Sequence, residues 1–128
     1  MQAQTFVDFV KERAGLPSRH QAWTAIRATL KTLAERLPSS GATHAAAQLP
    51  ADIAIYFRDL TPHAVEKMTL QEFFSRVAER EHVPPHIATR HAAAVIQVLA
   101  EALSPGEVND VQAQLPRTYR PLFLRSFA

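Results

Sequence analysis

Five side chains able to bind metal or move protons crowd one short stretch of this sequence: Glu79, Glu81, His82, His86 and His91. Imidazoles and carboxylates are the ordinary ligands of zinc and similar ions, and the same groups serve general acid–base catalysis. Their spacing argues against convergence. His82 precedes the Pro84-Pro85 corner and so shares no regular helical face with His86. The five-residue step from His86 to His91 is a poor match to one face of a helix. The expectation is two exposed histidines near a helix start, with His91 partly buried beside Val95 and Val98. No phosphate-cradling glycine loop and no nucleophile elbow occurs elsewhere in the chain. Cysteine is absent, which excludes disulfides, thiolate metal sites and cysteine nucleophiles. No catalytic, cofactor-binding or metal-ligating residue is therefore assigned.

A different chemistry is available at the carboxyl end. Arg117, Arg120 and Arg125 lie in a final segment without acidic side chains, and Tyr119 sits among them. Tyr and Arg are enriched where proteins bind partners, so Arg117, Tyr119, Arg120 and Arg125 form the candidate partner surface. Such a patch also suits nucleic acid, with Arg76, Arg80 and Arg90 as further contributors, although no recognition-helix motif accompanies it. Trp23 begins an apolar stripe continued by Ile26 and Leu30 and is read as a core anchor. Gln48 and Gln114 are read as caps, because helix ends need hydrogen-bonding partners and an amide does not titrate usefully.

The elements that must position these residues follow from a self-alignment of the chain at a spacing of about 66 residues. Leu33 to Leu37 matches Leu99 to Leu103, and Ala47-Gln48-Leu49-Pro50 returns as Ala113-Gln114-Leu115-Pro116. Val10 to Arg13 matches Val77 to Arg80 after a one-residue shift. Each repeat, about residues 4–58 and about residues 69–126, reads as four helices. The first helices carry Phe6 and Val10, then Phe73, Phe74 and Val77, at helical spacing. The second helices start near Ser18 and near Pro84-Pro85, where proline suits a first turn that has no use for its own N–H. The later of the two leaves only Arg90, Gln97 and Glu101 for water and should be the most buried. The third helices are short, residues 42–48 and 107–114. The fourth begin at the proline of Gln-Leu-Pro, which should turn Leu49 and Leu115 into the core. Residues 58–67 form a linker, with a turn signal at Thr61-Pro62.

With 128 residues, 47% hydrophobic and 20% charged, the chain has the size and composition of one globular domain spanning residues 1–128. Three Gly and abundant Ala, Leu, Arg and Glu favour helix. The predicted fold is all-α: a tandem duplication of a roughly four-helix unit packed as one compact bundle with pseudo-two-fold symmetry. The amino terminus has no secretory pattern, and the longest apolar stretch is too short to span a bilayer, so a cytoplasmic location is expected. Leu33 to Leu37, Gln48 to Pro50, Phe73 to Arg80 and Gln114 to Pro116, in that order, resemble the bacterial family called domain of unknown function 2267. That resemblance covers nearly the whole chain and implies architecture, with no activity to carry over. One departure is the stretch from Leu37 to Gly41, which lacks an acidic helix-starting residue like Glu107 and predicts a frayed third helix.

These observations favour a non-enzymatic protein-interaction or scaffold module, acting through a protein partner or by self-association. The alternatives are nucleic-acid binding through the basic carboxyl end and a metal-dependent or acid–base enzyme built on Glu79, His82 and His86.

Overall fold

A helix leaves its leading N–H groups and trailing carbonyls unpaired, and the caps show where this sequence starts and stops its helices. The computed structural model describes residues 1–58 and 63–124, all of whose regular structure is helical. Helix α1 (Ala3–Ala14) ends at Gly15, which adopts the left-handed conformation with φ of 65°. Helix α2 (Arg19–Arg36) starts at Ser18, whose hydroxyl accepts the N–H of Gln21. Two short helices follow, α3 (Ser39–Ala46) and α4 (Ala51–Phe57). Helix α5 (Leu70–Glu81) opens on a reciprocal capping box between Thr69 and Glu72 and ends at His82, again left-handed with φ of 59°. Pro85 supplies the first turn of α6 (Pro85–Ala102), and Ser104 caps α7 (Pro105–Ala113). A terminal 3-10 helix (Arg117–Phe123) follows Pro116. Helix lengths of 12, 18, 8 and 7 residues are thus followed by 12, 18, 9 and 7.

The long helices α2 and α6 touch each other, and each is flanked by both α1 and α5. Helix α1 therefore packs on the second long helix as well as on its own neighbour, and α5 does the converse, so the two stretches of chain interlock. Helix α4 rests on α2, the 3-10 helix on α6, and α3 meets α7. One apolar cluster runs from Phe6 through Ile26, Leu33, Phe57, Phe73, Ile96 and Leu99 to Leu122. Leu49 and Leu115, each before the proline that starts a new helix, both turn inward. No helix among the described residues is long and apolar enough to cross a membrane.

Four local expectations are corrected. Helices α2 and α6 bury nine residues each, so α6 is not the more buried by number. It is distinctive in having every residue from 92 to 99 buried, because α1, α2, α5 and the 3-10 helix surround it. Gln97, expected in water, is among those residues, and its side-chain amide donates to the Leu124 carbonyl at 3.0 Å. Trp23 is half-buried at the core margin, edge-on to Tyr56 with ring centroids 6.2 Å apart. Helix α3 is continuous despite its missing acid. Ser39, in its first turn, is bonded to both the backbone N–H and the ring Nδ1 of His63. Thr61-Pro62, the predicted turn, lies outside the described residues.

His82 stands where α1 has Gly15, and each terminates its helix through a left-handed residue. A side chain in that conformation costs roughly 1–2 kcal/mol, partly offset in glycine by its greater freedom when unfolded. His82→Gly should therefore stabilise the protein by about 0.5–1 kcal/mol, read as a higher urea midpoint at unchanged slope; a lower midpoint would show that the His82 side chain makes compensating contacts.

Candidate functional site

A 3-10 helix has three residues per turn, so side chains three apart share an edge. In Arg117–Phe123 this puts Tyr119 and Leu122 on the inner edge, both fully buried, and Arg117 and Arg120 on the outer edge, both exposed. Tyr119 is thereby corrected from partner surface to core. Its hydroxyl donates to the Met68 carbonyl at 2.8 Å, and its ring meets Phe73 edge-on at 5.6 Å. Burial pushes the hydroxyl above its ordinary pKa of 10.0, against the pull of Arg36. The self-alignment offered a signal for this: 66 residues before Tyr119 stands the apolar Ile53, which is also fully buried. Arg125 lies outside the described residues.

The inward turn of Tyr119 recruits a residue that sequence reasoning overlooked. The guanidinium of Arg36, at the end of α2, lies 5.8 Å from the centre of the Tyr119 ring. Arg36, Lys67, Met68, Leu70, Glu72 and Pro116 line an open groove of about 680 Å³ between the start of α5 and the 3-10 helix. Its lining is mainly apolar, and Lys67 and Glu72 are exposed at its margin. The Glu72 carboxylate accepts the Thr69 backbone N–H at 3.0 Å, and this bond holds its carboxyl below the usual range.

Several other arginines are already engaged. Arg80 binds Thr32 at 2.7 Å and Glu35 at 2.9 Å, joining α5 to α2, while Arg76 binds Glu66 at 2.7 Å. Arg13 grips Glu101 through two nitrogens and Arg19 grips Asp8 likewise. Of the three arginines nominated to extend the carboxyl-terminal patch, only Arg90 makes no such pair among the described residues.

The histidine-rich stretch divides. His91 Nδ1 turns to Glu81 Oε1 at 2.8 Å, and the Glu81 side chain is only 3% exposed. The other Glu81 oxygen is buried without a hydrogen-bond partner among the described residues. His82 and His86 are exposed, and Glu79 and His82 border an open groove beside Pro84 and Pro85. No group of three or more His, Asp or Glu able to hold a metal ion occurs among the described residues. The pairing of His91 with Glu81 was hidden in the sequence, because the nine residues between them include the chain reversal from α5 to α6.

The repeated glutamines lie at the α3–α7 contact. Gln48 accepts the Ser104 backbone N–H at 2.8 Å and so helps cap α7, as expected of a capping amide. Gln114 donates to the Asp110 carbonyl, and its side chain occupies the space over Gly41 that any Cβ would need. Beside them His44 Nδ1 meets Glu107 Oε2 at 2.8 Å; the Glu107 side chain is 4% exposed and that of His44 is 72% exposed.

That hydrogen bond and the charge of Glu107 raise the His44 pKa above 6.5. A raised folded-state value makes the contribution full below the unfolded value and lost as pH rises through the folded one. The stability difference between the protein and His44→Ala should accordingly be largest below about pH 6 and shrink toward pH 9. Thermal melts of both proteins across that range check it; a pH-independent difference would assign the contact to packing alone.

The model of a family described as "Uncharacterized conserved protein (DUF2267)" matches residues 3–122 of the chain. No curated protein matches it.

Proposed function

We propose, from the premise that this chain belongs to the DUF2267 family, that it is a non-enzymatic protein-interaction module whose partner surface is the basic end formed by the 3-10 helix and the start of α5. The observation that carries this reading is the state of the cations there. Arg117 and Arg120 are exposed and meet no carboxylate among the described residues, while Arg13, Arg19, Arg76 and Arg80 are each held by one. An apolar groove lies alongside, and Leu124, directly after the 3-10 helix, is 57% exposed. Cations that rim an apolar surface suit a protein partner, since the apolar part supplies affinity and the charges supply steering and register.

Nucleic-acid binding draws less support. Arg76 and Arg80 are committed to holding α5 on Glu35 and Glu66, so two of the three arginines that would extend the basic end are not free to follow a phosphate backbone. An acid–base enzyme draws less still, because Glu81 and His91 pair with each other while His82 and His86 stand in solvent.

The test is affinity capture from native extract at low and then moderate salt, with light scattering on the pure protein. Arg117→Glu combined with Arg120→Glu reverses the charge of two exposed side chains and leaves the buried edge of the 3-10 helix intact. A protein partner, or a defined oligomer, should be present with the original protein and lost with the double variant. Equal retention by both proteins, or recovery of nucleic acid alone, would overturn the reading.

A further inference from the structure

We infer that the groove between the start of α5 and the terminal 3-10 helix takes an acidic segment of the partner protein, with a carboxylate on Arg36 and a neighbouring apolar side chain against Leu70 and Pro116. This rests on the reading of the chain as an interaction module and names the chemistry of its partner.

Arg36 carries the argument. It is half-buried, its guanidinium is braced on the Tyr119 ring, and it forms no ion pair with any carboxylate of the described residues. Its Nε is buried and has no hydrogen-bond partner among them. A cation at the last turn of α2 is explained by the helix dipole; its buried Nε is out of a partner's reach, so the partly exposed remainder of the guanidinium, which meets no carboxylate of the described residues, is what a partner's carboxylate would meet. Carboxylates accept from guanidinium through two parallel bonds, the geometry that a planar fork favours. Lys67 adds a second positive charge on the same groove. Glu72 is the one acid in the lining, and its carboxylate is already turned back to the Thr69 N–H.

The remaining lining fixes the rest of the occupant. Leu70 is half-buried and Pro116 exposed, so they offer apolar surface beside the cation, over a floor closed by the buried Met68. The volume of about 680 Å³ falls in the range of ligand sites. The groove is open to solvent, whereas sites for small molecules usually enclose most of the ligand; an extended peptide segment tolerates that openness. A single-stranded nucleic acid would want aromatic faces for its bases, and the aromatic ring nearest Arg36 is the fully buried Tyr119.

The whole chain is applied to an array of random immobilised peptides, and the affinities of the selected peptides are measured in solution. The expected selection is peptides with Asp or Glu within two positions of a large apolar residue. Their binding should weaken about tenfold or more with Arg36→Gln and severalfold with Lys67→Glu. Since Arg36→Gln also removes a cation from Tyr119, Arg36→Lys and the exposed Lys67→Glu keep the test open if Arg36→Gln does not fold: Lys67→Glu must weaken binding, and Arg36→Lys must retain more than Arg36→Gln. Selection of neutral or basic peptides, no selection, binding indifferent to these substitutions, or displacement of the peptide by a single-stranded oligonucleotide at lower concentration than by free peptide would each overturn the inference. If it fails while capture still depends on Arg117 and Arg120, the groove is wrong and the module reading stands; if the peptides bind as expected but capture is indifferent to Arg117 and Arg120, the groove stands and the wider surface is wrong.

Discussion

Everything in this structure follows from burying α6 on all sides. Eight consecutive residues of that helix, 92 to 99, are out of solvent, which no two-layer contact achieves, because a helix packed on one face exposes the other. Four elements must converge on it. Helix α2 supplies the other long helix, α1 and α5 flank the pair, and the 3-10 helix covers what remains. Small side chains at Ala92, Ala93 and Ala94 allow close approach, while Val95, Ile96, Val98 and Leu99 fill the space between neighbours. The same enclosure makes Gln97 a buried amide, and its bond to the Leu124 carbonyl ties the end of the 3-10 helix to the core.

The polar contacts are arranged around that apolar commitment. Arg80 reaches from α5 to Thr32 and Glu35 on α2, and Arg13 reaches from α1 to Glu101 on α6, so each flanking helix is tied to a long helix from the other part of the chain. Partly solvated pairs of this kind add little stability singly; what they contribute is register between helices already held by apolar burial. Glu81 and His91 make the equivalent contact deeper in the structure, across the α5–α6 corner. At the α3–α7 contact, His44 and Gln48 bond across to Glu107 and Ser104, and the Gln114 side chain packs over Gly41, which suits two short helices rich in alanine and polar residues.

The basic end is a consequence of covering α6. Once Tyr119 and Leu122 close the core, the other edge of the 3-10 helix must face water, and that edge carries Arg117 and Arg120. Tyr119 also fixes Arg36, whose guanidinium lies over the ring. One aromatic residue thus joins the packing of the core to the charge pattern of the surface, through a hydroxyl bond to Met68 on one side and a cation contact on the other.

The all-helical fold was legible in the sequence because its signals are local. Phe6, Val10, Phe73 and Val77 repeat at helical spacing, and Ser18 and Pro85 mark helix starts. The proline corners correctly sent Leu49 and Leu115 inward. The site was less legible. Arg117 and Arg120 were nominated by charge and are exposed, but Tyr119 was misassigned because it was placed by a residue-type preference, which takes no account of which edge of a helix faces the core. Arg36 was not singled out, since its contact with the Tyr119 ring joins residues distant in sequence. Local periodicity and capping chemistry reside in neighbouring residues and are therefore written in the sequence; which side chains meet across the bundle depends on which helices cover α6, and only the tertiary structure decides that.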